Sequence, residues 1–392
     1  MNIAFISAVF PYPLHSGGQV RVYNLLKRLS KSHDITLFAF IRDESEKKYC
    51  KELSFCKKVI PIYRGRAWNP IYILRSLFSK WPFLYATYEH RILRDLLIQS
   101  KMQFDLIHIE PGYVYSSLPD LHIPLIVAEH NIEHEVYQGY VRSFPVAVLR
   151  PLLQRDVNKM IRIQSEIWNK ASSVVTVSDD DATYISLNSY QKSVHVVPNG
   201  TDLDYFAFSP KKTIEKKSLR FTYVGNFLWM QNTNAIEHIL KSIWPIIAKK
   251  YPDATFTIVG KHFPYSLKSL LTTSVTVIDS VPDIRSIYSK ADILLAPIRI
   301  GGGTRYKILE AMATGLPVIT STLGASGLPV THSKELYIAD TVEEILAGIG
   351  YLTSDLNRMK VVTQARTCIE KAYSWELIAA QLDTCWRKYE KR

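Results

Sequence analysis

The stretch Ala291-Asp-Ile-Leu-Leu-Ala-Pro-Ile-Arg-Ile-Gly-Gly-Gly-Thr-Arg-Tyr-Lys-Ile-Leu-Glu-Ala-Met-Ala-Thr-Gly-Leu-Pro-Val-Ile-Thr-Ser321 decides the fold. It reads as a strand, a glycine loop, a helix and a second strand. Residues 293–297 form a continuous apolar run, as expected of a parallel strand buried on both faces. Gly301, Gly302 and Gly303 lack a Cβ, so the chain can turn sharply there and approach a ligand closely. Thr304 is the expected N-cap, with Arg305 and Lys307 in the first turn of a helix over 304–314. Two cations at the positive end of a helix oppose its dipole unless an anion comes to that end. Gly315 supplies a left-handed stop and Pro317 prevents continuation. In open α/β sheets ligands bind beyond the carboxyl ends of the strands, where this loop lies. A phosphate-bearing ligand is the first expectation.

Outward from that stretch, strand-like runs alternate with helical patterns, which predicts parallel sheets with right-handed crossovers. Upstream, strands are expected at 2–7, 35–40, 58–62, 104–109, 124–128, 173–177 and 194–197, with helices over 19–32, 87–100 and 146–170. The tract 198–206 and the charged run 210–217 break the pattern and mark a linker. A second series follows: strands at 220–224, 255–259 and 275–278 and a helix over 233–250. The amphipathic segment 374–389 reads as a docked helix. The expected organisation is an α/β chain of two doubly wound domains, 1–200 and 201–373, with a terminal helix in 374–392 packing back toward the first.

The 392 residues suit two domains rather than one core, and an apolar fraction of 47% describes a folded chain. No apolar run reaches the length of a membrane span. Residues 1–7 read as a strand rather than a signal peptide, and the four cysteines form neither a C-x-x-C pair nor a zinc spacing. A reduced, cytoplasmic protein is expected. Its formal charge is +12, and the first 100 residues hold 16 Lys/Arg against 7 Asp/Glu. Such a surface suits anionic lipid or an anionic substrate; no helix-turn-helix, zinc-finger or RNA-recognition signature points to nucleic acid. The tract 64–88 mixes cations with aromatics. It reads either as an insertion with a local aromatic core or as an interfacial segment meeting an anionic membrane.

Several segments in order resemble the GT-B glycosyltransferases, specifically the retaining family-4 group. They are Ser16-Gly-Gly-Gln-Val-Arg21, Glu129-His-Asn131, Val177-Ser-Asp-Asp-Asp181, Val197-Pro-Asn-Gly-Thr-Asp-Leu-Asp-Tyr-Phe206, Tyr223-Val-Gly-Asn226, Val281-Pro-Asp283 and the opening stretch. The resemblance implies two Rossmann-like domains facing a cleft, and transfer of a sugar from a nucleotide-sugar to a glycan or lipid-linked acceptor. It implies retention of configuration, no metal and no cofactor, and a place in surface-polysaccharide assembly at the inner face of the membrane.

Residue by residue, the likeness makes His130 the catalytic-site residue near the reacting sugar. Gly17 and Gly18 become the N-terminal glycine loop, and backbone groups at Val281 contact the base. Gly302, Gly303, Thr304, Arg305 and Lys307 form the donor loop, and Glu310 accepts from the ribose hydroxyls. Two features depart from the group's pattern. Its Glu-x7-Glu signature has Gly302 where the first carboxylate stands. Its diphosphate-binding Arg and Lys after the first donor-domain strand are Asn226 and Gln231 here. A subset of the group carries a Gly-Gly-Gly-Thr-Arg-x-Lys loop like this one, so Arg305 and Lys307 are expected to take over the diphosphate. The departures keep two other functions in view: a nucleotide-sugar-binding protein without catalysis, and a nucleotide-sugar epimerase of the same fold.

One pattern competes. His130-Asn-Ile-Glu-His134 fits H-x-x-E-H, the signature of a zinc peptidase. That chemistry needs both histidines inside one helix and a further ligand. Because the segment starts at a strand end, no metal site is expected.

Overall fold

The computed structural model describes residues 1–66, 68–100, 103–120, 122–300 and 305–390. The chain divides into two compact units, one of residues 1–199 with 378–392 and the other of residues 200–377. Strand runs alternating with helices leave each strand to pair with parallel neighbours, and both units are built on all-parallel sheets.

Unit 1 holds strands β1 (Asn2–Ser7), β2 (Asp34–Ile41), β3 (Lys58–Tyr63), β4 (Leu106–Glu110), β5 (Leu125–Glu129), β6 (Ser173–Thr176) and β7 (Val194–Val196) in the order β3-β2-β1-β4-β5-β6-β7. Register is set by pairs such as Ile3 with Ile35 and Ile3 with Leu106. The strand order reverses direction between β1 and β4. Helix α1 (Gly17–Leu29) follows β1, and Ser16 caps it by accepting from the Gln19 amide. The helix therefore starts two residues earlier than the apolar spacing indicates, with Gly17 and Gly18 in its first turn. Helix α2 is Pro70–Phe78, α3 is Glu133–Ser143 and α4 is Arg150–Lys170.

Helices α3 and α4 are antiparallel. The His134 amide donates to Gln164 Oε1, and Gln138 and Gln154 exchange amide hydrogen bonds. Trp168 of α4 donates through its indole to Glu129 Oε1 at the carboxyl end of β5. The 21 residues of α4 span about 30 Å at roughly 1.5 Å rise per residue, longer than the five-residue β5, so its first half projects beyond the sheet's carboxyl edge. Helix α2 packs on that projecting part through Ser76 Oγ, which donates to Asp156 at 2.9 Å.

Unit 2 holds β8 (Arg220–Val224), β9 (Thr255–Val259), β10 (Val275–Ile278), β11 (Ile293–Ala296), β12 (Val318–Thr320) and β13 (Tyr337–Ile338), ordered β10-β9-β8-β11-β12-β13. Its switch point is between β8 and β11. The apolar run of β11 is explained by burial on both sides. Ile293 and Leu295 join the core under helix α5 (Met230–His238), while Leu294 and Ala296 join the core under helix α6 (Tyr306–Thr314). Gly315 ends α6 at φ 83°, a left-handed conformation that a side chain would strain. Helix α7 (Trp375–Arg387) contains the second crossing between units, and from Ile378 onward it belongs to unit 1. Within unit 1 its Trp386 is fully buried.

Candidate active site

Both switch points collect the polar residues that the sequence singles out. In unit 2, Gly302, Gly303 and Thr304 lie outside the described residues. Arg305 stands at the N-cap of α6 rather than inside its first turn, and Tyr306 opens the helix. Lys307 and Glu310 are three residues apart and so share one helix face. The Lys307 ammonium donates to Asn232 Oδ1 at 2.6 Å and to Tyr223 Oη at 2.9 Å, and lies 4.0 Å from the centre of the Tyr223 ring. These partners are neutral oxygens and a π face. Burial and the neighbouring Arg305 charge push the Lys307 amine down to about 7, with Glu310 opposing. Arg305 is itself 8% exposed, and burial lowers its basicity too.

The Glu310 carboxylate accepts from Tyr288 Oη at 2.7 Å, so it is not the exposed partner of a helix cation. Burial pushes it up to about 7, against Tyr288 and Lys307, which lower it. Gly225, at the end of β8, makes this arrangement possible, because a Cβ there would stand 2.7 Å from Asn232 Cγ. Asn232 is one residue from Gln231, where the family's cation is absent. Val281 follows the edge strand β10. Pro282 precedes helix Arg285–Lys290 by three residues.

In unit 1, Glu110 ends β4 and is fully buried. Its Oε1 accepts from Arg21 Nε at 2.6 Å and from His130 Nε2 at 2.8 Å; its Oε2 accepts from His108 Nε2 at 3.2 Å. Burial alone would raise its carboxyl, but the Arg21 charge and the two imidazoles hold it well below the usual range. His130, just past β5, keeps 21% of its side chain exposed. A Cβ on Gly18 would lie 3.9 Å from His130 Cε1, so the glycine turn and the histidine meet. The zinc pattern dissolves in three dimensions. His130 precedes α3 and turns to Glu110, whereas His134 lies inside α3 with Nδ1 on Gln164 and Nε2 on Tyr184. Among the described residues no cluster could hold a metal ion.

Sequence reasoning misses Glu110, Arg21, Tyr223, Asn232 and Tyr288. Glu110 has one readable signal: a carboxylate ending an otherwise apolar strand, where a buried acid needs a charged partner.

Comparisons with known proteins bear on the family and the fold. Residues 15–205 match the model described as Glycosyltransferase Family 4, and residues 218–355 match Glycosyl transferases group 1. The chain is a family-4-like GT-B glycosyltransferase. Such a glycosyltransferase moves a sugar from a nucleotide-sugar, and the two matches fall one on each unit. Relatives include an uncharacterized 44.6 kDa protein in the cps region of Klebsiella pneumoniae, 24% identical, covering 95% of this chain and 96% of that protein. A UDP-Gal:alpha-D-GlcNAc-diphosphoundecaprenol alpha-1,3-galactosyltransferase of Escherichia coli is 27% identical over 41% of this chain and 46% of its own. Among solved structures, sucrose-phosphate synthase of Thermosynechococcus elongatus superposes with a TM-score of 0.75 at 17% identity, covering 99% and 98% of the two chains. That likeness shows the fold alone.

Proposed function

We propose that this glycosyltransferase transfers a hexose from a UDP-sugar to a lipid-linked glycan with retention of configuration, in the assembly of a surface polysaccharide. The observation that carries the reading is Lys307. Its ammonium sits at the β8–β11 switch point against Asn232 and Tyr223, beside the position from which a family cation is missing. Arg305 and Lys307 receive the diphosphate and stabilise the leaving charge, in the place a divalent cation would otherwise take. Glu310 accepts from the ribose hydroxyls, and the backbone at Val281 meets the base. Gly17 and Gly18 bring the α1 backbone toward the substrate beside His130, which hydrogen-bonds the transferred sugar. The lipid-linked acceptor and the UDP donor are suggested by the Escherichia coli relative.

Thermal melting against a panel of nucleotide-sugars tests the donor, since a ligand bound only to the folded state raises apparent stability. One or more UDP-sugars is expected to raise the melting temperature, with transfer persisting in EDTA and an axial–equatorial NMR signature matching the donor's anomer. Stabilisation without transfer or hydrolysis would favour a binding protein. An altered sugar still on the nucleotide would favour an epimerase.

Contact with an anionic bilayer is part of this reading. Among the described residues no helix is long and apolar enough to cross a membrane. The projecting part of unit 1 instead exposes Trp68 (80%), Phe78 (87%) and Val148 (81%), with Ile71, Leu74, Leu149 and Leu152 also exposed. The exposed cations Arg66, Arg75, Lys80, Arg142, Arg150 and Arg155 accompany them, and residues 64–80 and 140–155 contain no Asp or Glu. Apolar side chains within a purely cationic surface suit an anionic headgroup layer, each cation adding about 1 kcal/mol near it. Co-sedimentation with phosphatidylglycerol-rich vesicles is expected at low salt and should weaken as salt rises. Leu74→Glu with Phe78→Glu should reduce it roughly tenfold without changing the melting temperature. Absence of binding at low salt removes the membrane from the reading.

A further inference from the structure

We propose that Glu110 is the positioning residue of this enzyme, holding neutral His130 as its Nε2–H tautomer so that Nδ1 is presented as a hydrogen-bond acceptor to a substrate hydroxyl. The inference rests on the assignment of His130 to the transferred sugar.

The hydrogen-bond inventory fixes the protons on the nitrogens that face Glu110. The Arg21 guanidinium is permanently charged and donates to Glu110 Oε1 at 2.6 Å, both side chains being buried. A carboxylate ionised against it can only accept. Each imidazole nitrogen facing Glu110 must therefore bear a proton. For His108 the same result follows independently. Its Nδ1 accepts from Trp386 Nε1 at 3.2 Å, and an indole nitrogen is a donor only, so the proton of neutral His108 is on Nε2, which faces Glu110 Oε2. His130 meets the shared oxygen Oε1 with Nε2 at 2.8 Å. The ring is thereby pinned at its Nε2 end, and in the neutral form the lone pair is on Nδ1. The hydrogen bond on one ring nitrogen sets what the other can do.

The same carboxylate fixes the surroundings. Arg21 also donates through Nη1 to Pro198 O at 2.8 Å and to Asn199 Oδ1 at 3.2 Å, the last two residues before the chain leaves unit 1. Arg21 sits one turn after Gly17 and Gly18 on α1. One buried acid thus orients the glycine turn, the histidine and the exit segment.

A purely structural ion pair would stabilise the fold and leave the His130 proton unspecified, which separates the two roles. The experiment is long-range 1H–15N NMR of histidine-labelled full-length protein, with His130 assigned by loss of its signals in His130→Ala. Wild-type neutral His130 is expected to show the Nε2–H pattern; an Nδ1–H pattern overturns the proposal. Removing the charges together, as Arg21→Gln with Glu110→Gln, avoids stranding a buried ion. In that variant the pattern should become a mixture of tautomers, and UDP-galactose turnover should fall about 10- to 100-fold with donor affinity retained. In a His130→Ala background the same pair should cost nothing further, whereas additive losses would mark a structural role only. If no UDP-sugar is turned over, the donor reading fails while the tautomer measurement still decides the positioning claim.

Discussion

Arg305→Ala combined with Lys307→Ala is expected to weaken nucleotide-sugar binding by at least 100-fold while the fold persists. Two charge-assisted contacts to a diphosphate contribute about 3–6 kcal/mol together, and roughly 1.4 kcal/mol is a factor of ten. The fold should tolerate the change because Tyr223 and Asn232, which accept from Lys307, also bond each other at 2.8 Å. Calorimetric titration with the UDP-sugar identified by melting measures the effect, and unchanged affinity would refute the diphosphate role. The pH profile gives a second readout. In the proposed donor site Lys307 meets phosphate charged and Glu310 accepts from ribose ionised. In the unliganded protein both titrate near 7. Above that pH binding must first protonate Lys307, and below it binding must first expel a proton from Glu310. Affinity should therefore pass through a maximum near pH 7 and fall on both sides, up to about tenfold per pH unit. The alkaline limb should vanish in Lys307→Ala and the acid limb in Glu310→Gln. A flat profile in the wild type would show that neither group changes its protonation on binding.

Why the fold is readable and half the site is not follows from where the information sits. The strand–loop–helix–strand at 291–321 is local: an apolar run, glycines, a helical period and a Gly–Pro stop all lie within 31 residues. The strands of unit 2 at 220–224, 255–259 and 275–278 match their expected limits for the same reason. Short or capped elements are harder. Strand β13 has two residues, and the start of α1 depends on the Ser16 cap rather than on apolar spacing. The helix expected over 233–250 is interrupted by a π turn at Ile239–Ile243 before Pro245, a backbone adjustment that periodicity does not report. In the tract 64–88 the local aromatic core is present in Trp81, Tyr85 and Tyr88, while Trp68 and Phe78 face outward. Site residues assembled from afar stay invisible. Arg21 and Glu110 are 89 positions apart, and Lys307 finds Tyr223 84 positions upstream. Nothing in a linear pattern couples such pairs; only the parallel sheet order, which brings β1 beside β4 and β8 beside β11, does so.

His130→Ala is expected to lower kcat by about 100-fold, leaving donor affinity within twofold and the melting temperature nearly unchanged. The separation comes from geometry. His130 lies at the β5 end of unit 1, whereas Arg305, Lys307 and Glu310 all belong to α6 of unit 2. Under the proposed donor site, nucleotide binding therefore draws on side chains that the substitution does not touch. Stability should also survive it. The variant leaves Glu110 with Arg21 on Oε1 and His108 on Oε2, so no buried charge loses its last partner, and the removed ring is only partly buried. A large drop in melting temperature with kcat falling in parallel would instead mark His130 as a packing residue. Near-normal turnover would remove it from the reaction altogether. Loss of activity confined to kcat is the outcome expected of a group acting on the reacting sugar, because losing an interaction made more strongly in the transition state than in the bound donor lowers kcat without lowering donor affinity.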